Sequence, residues 1–204
     1  MKIIKAQTKM IEYLKSSDFS NREDSQYTLT SITTLEKIIK NGFITTGSQE
    51  GIYNSGYNAK TKRYYKSKER AYLSGFMKRN KARKFVERLN SETNKIAFII
   101  QINPTNAFDK LFNEGNPEAV SSIPITVENS SSKKSGIKTL YPFSKIKLVL
   151  PKSTFNFMKK SAYLTKKDLV EYVECIDPVY CRRANGVNGL YKDVLKVLME
   201  IEMG

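Results

Sequence analysis

Residues 70–102 read RAYLSGFMKRNKARKFVERLNSETNKIAFIIQI, and the change of period inside this stretch decides the fold. Arg70, Ala71, Tyr72, Leu73 and Ser74 have strand character. From 76 to 90 the spacing is helical: Ala82, Phe85, Val86 and Leu89 fall on one stripe, with Lys and Arg opposite. Residues 95–102 (KIAFIIQI) carry the strongest strand signal in the chain. Such an apolar run is expected at the centre of a sheet, buried on both faces.

Toward the N-terminus, residues 5–15 predict a short amphipathic helix with Met10, Ile11 and Leu14 on one side. Residues 26–31 (QYTLTS) predict a strand. A helix follows, with Thr33 as N-cap and Glu36 completing a capping box. Leu35, Ile38 and Ile39 form its buried face, and Asn41 and Gly42 close it. Residues 45–62, rich in Gly, Tyr and Asn, read as a long loop of the kind that often carries function.

Toward the C-terminus, residues 105–118 are irregular and contain Asp109, Glu114 and Glu118. Residues 119–128 look extended, with Pro124 forcing an edge or a bulge. Residues 129–136 form a polar turn, and 145–150 a strand closed by Pro151. Then 152–160, 166–174 and 188–203 read as helices; in the last, Leu190, Val194, Leu195, Leu198 and Ile201 form a stripe. The expected fold class is α+β. A core over 1–150 has small mixed or antiparallel sheets, and a helical C-terminal extension over 151–204 packs on it.

A chain of 204 residues with 40% apolar residues suits one domain with a real core. There is no His and no Trp. That excludes His-based triads and dyads, His ribonuclease pairs and HExxH zinc sites. Chemistry must come from carboxylates, Arg, Lys, Tyr, hydroxyls, amides or a thiol. Cys175 and Cys181 alone do not complete a zinc site, and no metal is expected. The N-terminus shows no apolar signal segment, and the run from Ile96 to Ile100 falls far short of the ~20 residues that span a bilayer. The expectation is a cytoplasmic protein with free thiols and no transmembrane segment, delivery into another cell being left open.

Lys+Arg is 35 against Asp+Glu at 20, a formal net charge of +15. Residues 60–88 hold twelve of the cations against only Glu69 and Glu87, with Tyr64, Tyr65 and Tyr72 among them. Such a stretch can bind phosphates and stack bases. It can attract an acidic protein or an anionic membrane surface. It can also be a solvated Lys-rich face.

The order of features resembles the mono-ADP-ribosyltransferase fold, in its bacterial toxin or effector branch, over roughly residues 25–150. The strand 27–31 comes first. Leu35, Ile38, Ile39, Gly42 and Phe43 then make a Leu-x-x-Ile-Ile-x-x-Gly-Phe helix end. Ala71, Tyr72, Leu73 and Ser74, the helix with Ala82 to Leu89, and the strand 96–102 complete the order. Residues 116–124 (NPEAVSSIP) are similar to the segment that carries the catalytic carboxylate. The resemblance implies an NAD-dependent transfer of ADP-ribose to a macromolecular acceptor, protein or nucleic acid, through an oxocarbenium-like transition state. A carboxylate stabilises that cation. NAD is the substrate.

On this reading Glu118 or Glu128 is the catalytic carboxylate and Ser74 its support. Arg63 and Arg70 hold the pyrophosphate, since Arg grips phosphate bidentately. Tyr53, Tyr57 and Tyr65 offer rings to stack on, and Thr28 and Tyr72 join the cofactor-binding candidates. For each there is a plainer alternative: surface acid, helix cap, basic face or loop anchor. The strand 27–31 lacks the Arg of the toxin branch, and Asn116 stands where a Glu or Gln would precede Glu118. These departures motivate a second expectation, a non-catalytic basic module that binds nucleic acid or another polyanion on the same scaffold.

Overall fold

The computed structural model describes residues 2–16, 29–58, 63–68, 70–103, 126–128 and 149–203. In chain order the elements are α1 (Lys2–Ser16), α2 (Leu29–Lys40), β1 (Ile44–Gln49), β2 (Tyr53–Asn58), β3 (Arg63–Lys68) and β4 (Arg70–Lys78). There follow α3 (Arg79–Glu92), β5 (Ile96–Ile99), β6 (Gln101–Asn103), β7 (Thr126–Glu128) and β8 (Val149–Pro151). Last come α4 (Lys152–Ser161), β9 (Val170–Tyr180) and α5 (Leu190–Met203). The architecture is mixed α+β. Its main sheet has the order β1-β4-β9-β5 with every pair antiparallel. Strands β2-β3-β7 form a second sheet, and β6 with β8 a short parallel pair.

Side chains alternate across a strand, so each strand of the main sheet divides its residues between two faces. Ala71, Leu73, Met77, Val173, Cys175 and Ala97 face one way. They pack with Leu35 and Ile38 of α2, Phe85 and Leu89 of α3, and the stripe of α5 from Leu190 to Ile201. On the other face Ile44, Phe76 and Tyr172 meet Ala6 and Met10 of α1 and Phe155 of α4. The Phe76 ring stands edge-on to Phe155 and Tyr172, with centroids 5.5 and 5.0 Å away. The main sheet is therefore an interior layer with helices on both sides. Among the described residues, no helix is long and apolar enough to cross a membrane.

Several expectations hold. Helix α1 buries Ala6 and Met10 and half-buries Ile11 and Leu14. Gly42 ends α2 in the left-handed region (φ +93°), its N–H donating to Ile39 O and that of Phe43 to Ile38 O. Helix α4 and the α5 stripe form as read, and both cysteines are free thiols.

Others are corrected. Residues 29–31 are the first turn of α2 rather than a strand, so Thr33 lies inside the helix and the capping box does not form; 26–28 lie outside the described residues. Residues 45–58 are not a loop but hold β1 and β2. Strand β4 runs on to Lys78, so α3 begins at Arg79 and not at 76. Phe76 and Met77 bury into opposite faces, which only an extended backbone allows. Strand β5 is the last strand of the main sheet, not a central one. The run 95–102 breaks at Ile100, and residues 101–103 pair with β8 instead, so Pro151 belongs to a strand.

The expected helix over 166–174 is replaced by β9. In its sequence VEYVECI the apolar positions 170, 173 and 176 fit a helical stripe, while Val and Ile on both pleat faces fit a doubly covered strand; the covering wins. This strand, from beyond residue 150, pairs on both sides with strands from before it.

Candidate functional site

Register partners in the main sheet stand side by side on one face. Gly47, Ser74, Glu174 and Phe98 form one such row across β1, β4, β9 and β5. Gln49, Tyr72, Ile176 and Ile96 form the next, and Ile44, Phe76 and Tyr172 the one before. Polar side chains thus interrupt the face that α1 and α4 cover at its other end. Glu174 lies at their centre, only 8% exposed.

Three carboxylate side chains are buried among the described residues: Glu50, Asp177 and Glu174. Glu50 accepts from Ser31 Oγ at 2.5 Å and from the Ala184 N–H at 2.7 Å. Asp177 accepts from Lys95 Nζ at 2.9 Å and from the Val179 N–H at 2.9 Å. Lys95 donates further to Asn94 Oδ1 and the Asn188 carbonyl, and lies 3.4 Å from Asp193. Both acids are satisfied ties between elements. Glu174 differs: its Oε2 is buried with no hydrogen-bond partner. Burial without a partner penalises the charged form, and it pushes the Glu174 carboxyl up to about 7.

Hydroxyls surround it. Ser74 Oγ donates to Gly47 O at 3.4 Å, and Tyr172 Oη lies 3.2 Å from Thr46 Oγ1. The register of β1 against β4 shifts between Thr45 and Gly47. This bulge brings the Thr46 hydroxyl to Tyr172; bulges commonly re-aim a side chain in this way. A Cβ on residue 47 would stand 2.7 Å from Ser74 Oγ and 3.5 Å from the Tyr72 ring, so glycine lets both close in. Burial raises the Tyr72 phenol, and the Glu174 charge adds to it. Burial also raises Tyr172, while hydrogen bonds with Ser74 and Thr46 pull it back. The result is a carboxyl matched to proton transfer or cation stabilisation near neutral pH.

Of the residues singled out from the sequence, Ser74 and Tyr72 belong to this cluster. Arg70 is buried, and its Nε donates to Pro178 O at 3.1 Å, tying β4 to the end of β9. Tyr53 and Tyr57 are exposed on β2. On β3, Arg63 stands opposite Asn58 and Tyr65 opposite Gly56 in the register. Glu128, on β7, stands opposite Lys66. These five residues lie in the second sheet, apart from the pairing that sets Ser74 against Glu174. Thr28 and Glu118 lie outside the described residues.

Sequence reading missed Glu174, Tyr172, Thr46 and Gly47. Only once residues 170–180 are known to be a strand does Glu174 stand out, falling on one pleat face between Tyr172 and Ile176.

The basic stretch is less bare than its composition. On α3, Arg79 pairs with Glu171 at 2.6 Å, Lys81 with Glu202, and Arg88 with both Glu92 and Glu200 at 2.6 Å. Among the described residues no group of His, Cys, Asp and Glu is arranged to hold a metal. Comparison with protein-family models, with curated proteins and with solved structures finds no match to this chain.

Proposed function

We propose that the chain is an NAD-dependent mono-ADP-ribosyltransferase and that Glu174 is its working carboxylate. The observation that carries the reading is the pairing of Ser74 with Glu174 across β4 and β9, with one buried carboxylate oxygen left unsatisfied. A Ser beside a carboxylate is what the resemblance asks for; the acid comes from β9 rather than from residues 118 or 128. In the reaction the bond between ribose and nicotinamide breaks and its electron pair leaves with nicotinamide. The ribosyl cation that develops is stabilised by ionised Glu174, and an acceptor on a protein or nucleic acid supplies the new bond and loses a proton. Tyr72 and Tyr172, whose phenols both feel the Glu174 charge, and Phe98, its register partner on β5, offer aromatic surfaces beside the carboxyl. The free thiols go with a cytoplasmic site of action.

The test is nicotinamide release from NAD, with lysate as acceptor, by wild-type protein and by Glu174→Gln, Glu118→Gln and Glu128→Gln. Glu174→Gln is expected to lower release by at least ~10²-fold, the scale of losing one preorganised electrostatic group. The wild-type rate is expected to rise with pH through about 7 as Glu174 ionises. Undiminished release from Glu174→Gln would remove it from the role, and loss in Glu118→Gln or Glu128→Gln would return the role to that residue.

The net charge of +15, with Lys78, Arg83 and Lys84 exposed and outside the ion pairs among the described residues, favours a second reading: a module that binds nucleic acid or another polyanion. Its mark is an affinity for oligonucleotide that falls by about 0.7–0.9 in log K per phosphate contact for each tenfold rise in salt.

A further inference from the structure

The first turns of α1, the end of α2, the start of α3 and the turn before β9 line a groove. It consists of two adjoining hollows of about 560 and 480 Å³ that share Ile3, Lys78 and Asp168. Its apolar element is exposed: Ile4 is 66% and Leu169 69% accessible. Its rim is cationic, with Lys40, Lys78, Arg79, Lys81 and Lys167 against Asp168 and Glu202. The two acids are occupied. Asp168 accepts from the Thr165 N–H and Oγ1, and Glu202 pairs with Lys81. Among the described residues Lys78 and Lys167 have no ion pair.

The backbone adds to the same sign. The carbonyl end of α2 is quenched by Gln7, whose Nε2 donates to Ile39 O at 2.7 Å and to Lys40 O at 3.1 Å. The amide end of α3 has no side-chain cap and no acid in its first turn, its first N–H, that of Arg79, donating to the Leu169 carbonyl at 3.1 Å. The groove therefore keeps the positive pole of one helix while the negative pole of the other is screened.

We propose that this groove docks an acidic amphipathic segment of a partner protein. Its apolar side chains lie against Ile4 and Leu169, and its carboxylates against Lys78 and Lys167. The shape decides among polyanions. Among the described residues, the lining has no aromatic ring on which a base could stack, as single-stranded nucleic acid would use. A concave site suits an inserted side chain better than it suits a flat lipid surface.

The experiment is fluorescence anisotropy of a labelled peptide titrated with the full chain. The peptide has about 16 residues, long enough to turn helical, with Leu on one stripe and Glu elsewhere. The comparators are the same peptide with Lys for Glu, a single-stranded oligothymidine, and phosphatidylglycerol vesicles. The acidic peptide is expected to bind and the basic one not. The double variant Lys78→Glu/Lys167→Glu is expected to weaken binding about tenfold, each reversed charge contributing a modest share. Leu169→Ser is expected to weaken it about fivefold through lost apolar contact. These positions are exposed, and Glu at the start of α3 suits its dipole, so the fold should be kept; circular dichroism checks this. The milder Lys78→Gln/Lys167→Gln should fall between wild type and the reversal. No binding of the acidic peptide, or binding that neither double variant weakens, would overturn the proposal. So would oligothymidine or vesicles binding in the peptide's place and being released by the same substitutions.

Discussion

Glu50 and Asp177 each hold hydrogen bonds on their buried carboxylates, whereas Glu174 leaves Oε2 without one. A stability measurement can read that difference. Burial lifts Glu174 from an ordinary 4.5 to about 7. Below pH 4.5 the group is protonated in the folded and unfolded chains alike. Between 4.5 and 7 the unfolded chain loses the proton and the folded chain keeps it, so stability falls as pH rises through this window. Above 7 the loss is complete, at most about 3 kcal/mol. Urea unfolding at pH 5 and pH 8 should therefore show wild type losing more stability across the interval than Glu174→Gln, which has no proton to give up. Equal losses in the two proteins would mean that Glu174 is solvated or partnered when charged.

At the scale of elements, Lys95 decides how the strand at the sheet edge is held. Its ammonium, fully buried, joins the start of β5 to Asp177 on β9 and to the Asn188 carbonyl just before α5. Removing one member of a buried pair strands the other. Lys95→Met should cost about 3–5 kcal/mol, and Lys95→Met combined with Asp177→Leu should recover a substantial part. Chemical denaturation of both variants measures this, and a double variant no more stable than the single one would refute it. The same elements show what was legible in sequence. The α5 stripe and the buried face of α2 were, because each has one covered side and the 3.6-residue period survives. Strand β9 was not. Its neighbours β4 and β5 are distant in sequence, and the helices on both faces erase the period-2 contrast that marks a half-exposed strand. Ser74 and Tyr72 could be singled out by local sequence, but Glu174 could not. What makes it a candidate is burial beside Ser74, which depends on β9 being a strand at all.

Over the whole molecule, two electrostatic effects oppose each other, and salt separates them. Ion pairs at the surface link α1 to α2, α3 to β9 and α3 to α5. Each of these exposed pairs contributes about 0–1 kcal/mol, and salt weakens them. Against them stands a net charge of +15 gathered into one folded chain. Two like charges ~20 Å apart in water repel by about 0.2 kcal/mol, and every pair among the excess cations contributes. Expansion on unfolding relieves much of that repulsion, and a Debye length of ~10 Å at 0.1 M salt removes most of it in the folded state. The repulsive sum has many more members than the handful of pairs, so screening should stabilise the protein. Raising sodium chloride from about 20 to about 200 mM is expected to gain 1–2 kcal/mol, which for a chain of this size raises Tm by about 2–8 °C. Sodium fluoride should act alike if screening rather than anion binding is the cause. A Tm that falls with either salt would mean that the ion pairs of α3 and α5 outweigh the net charge. The cationic groove would then be a set of neutralised contacts rather than a reserve of positive potential.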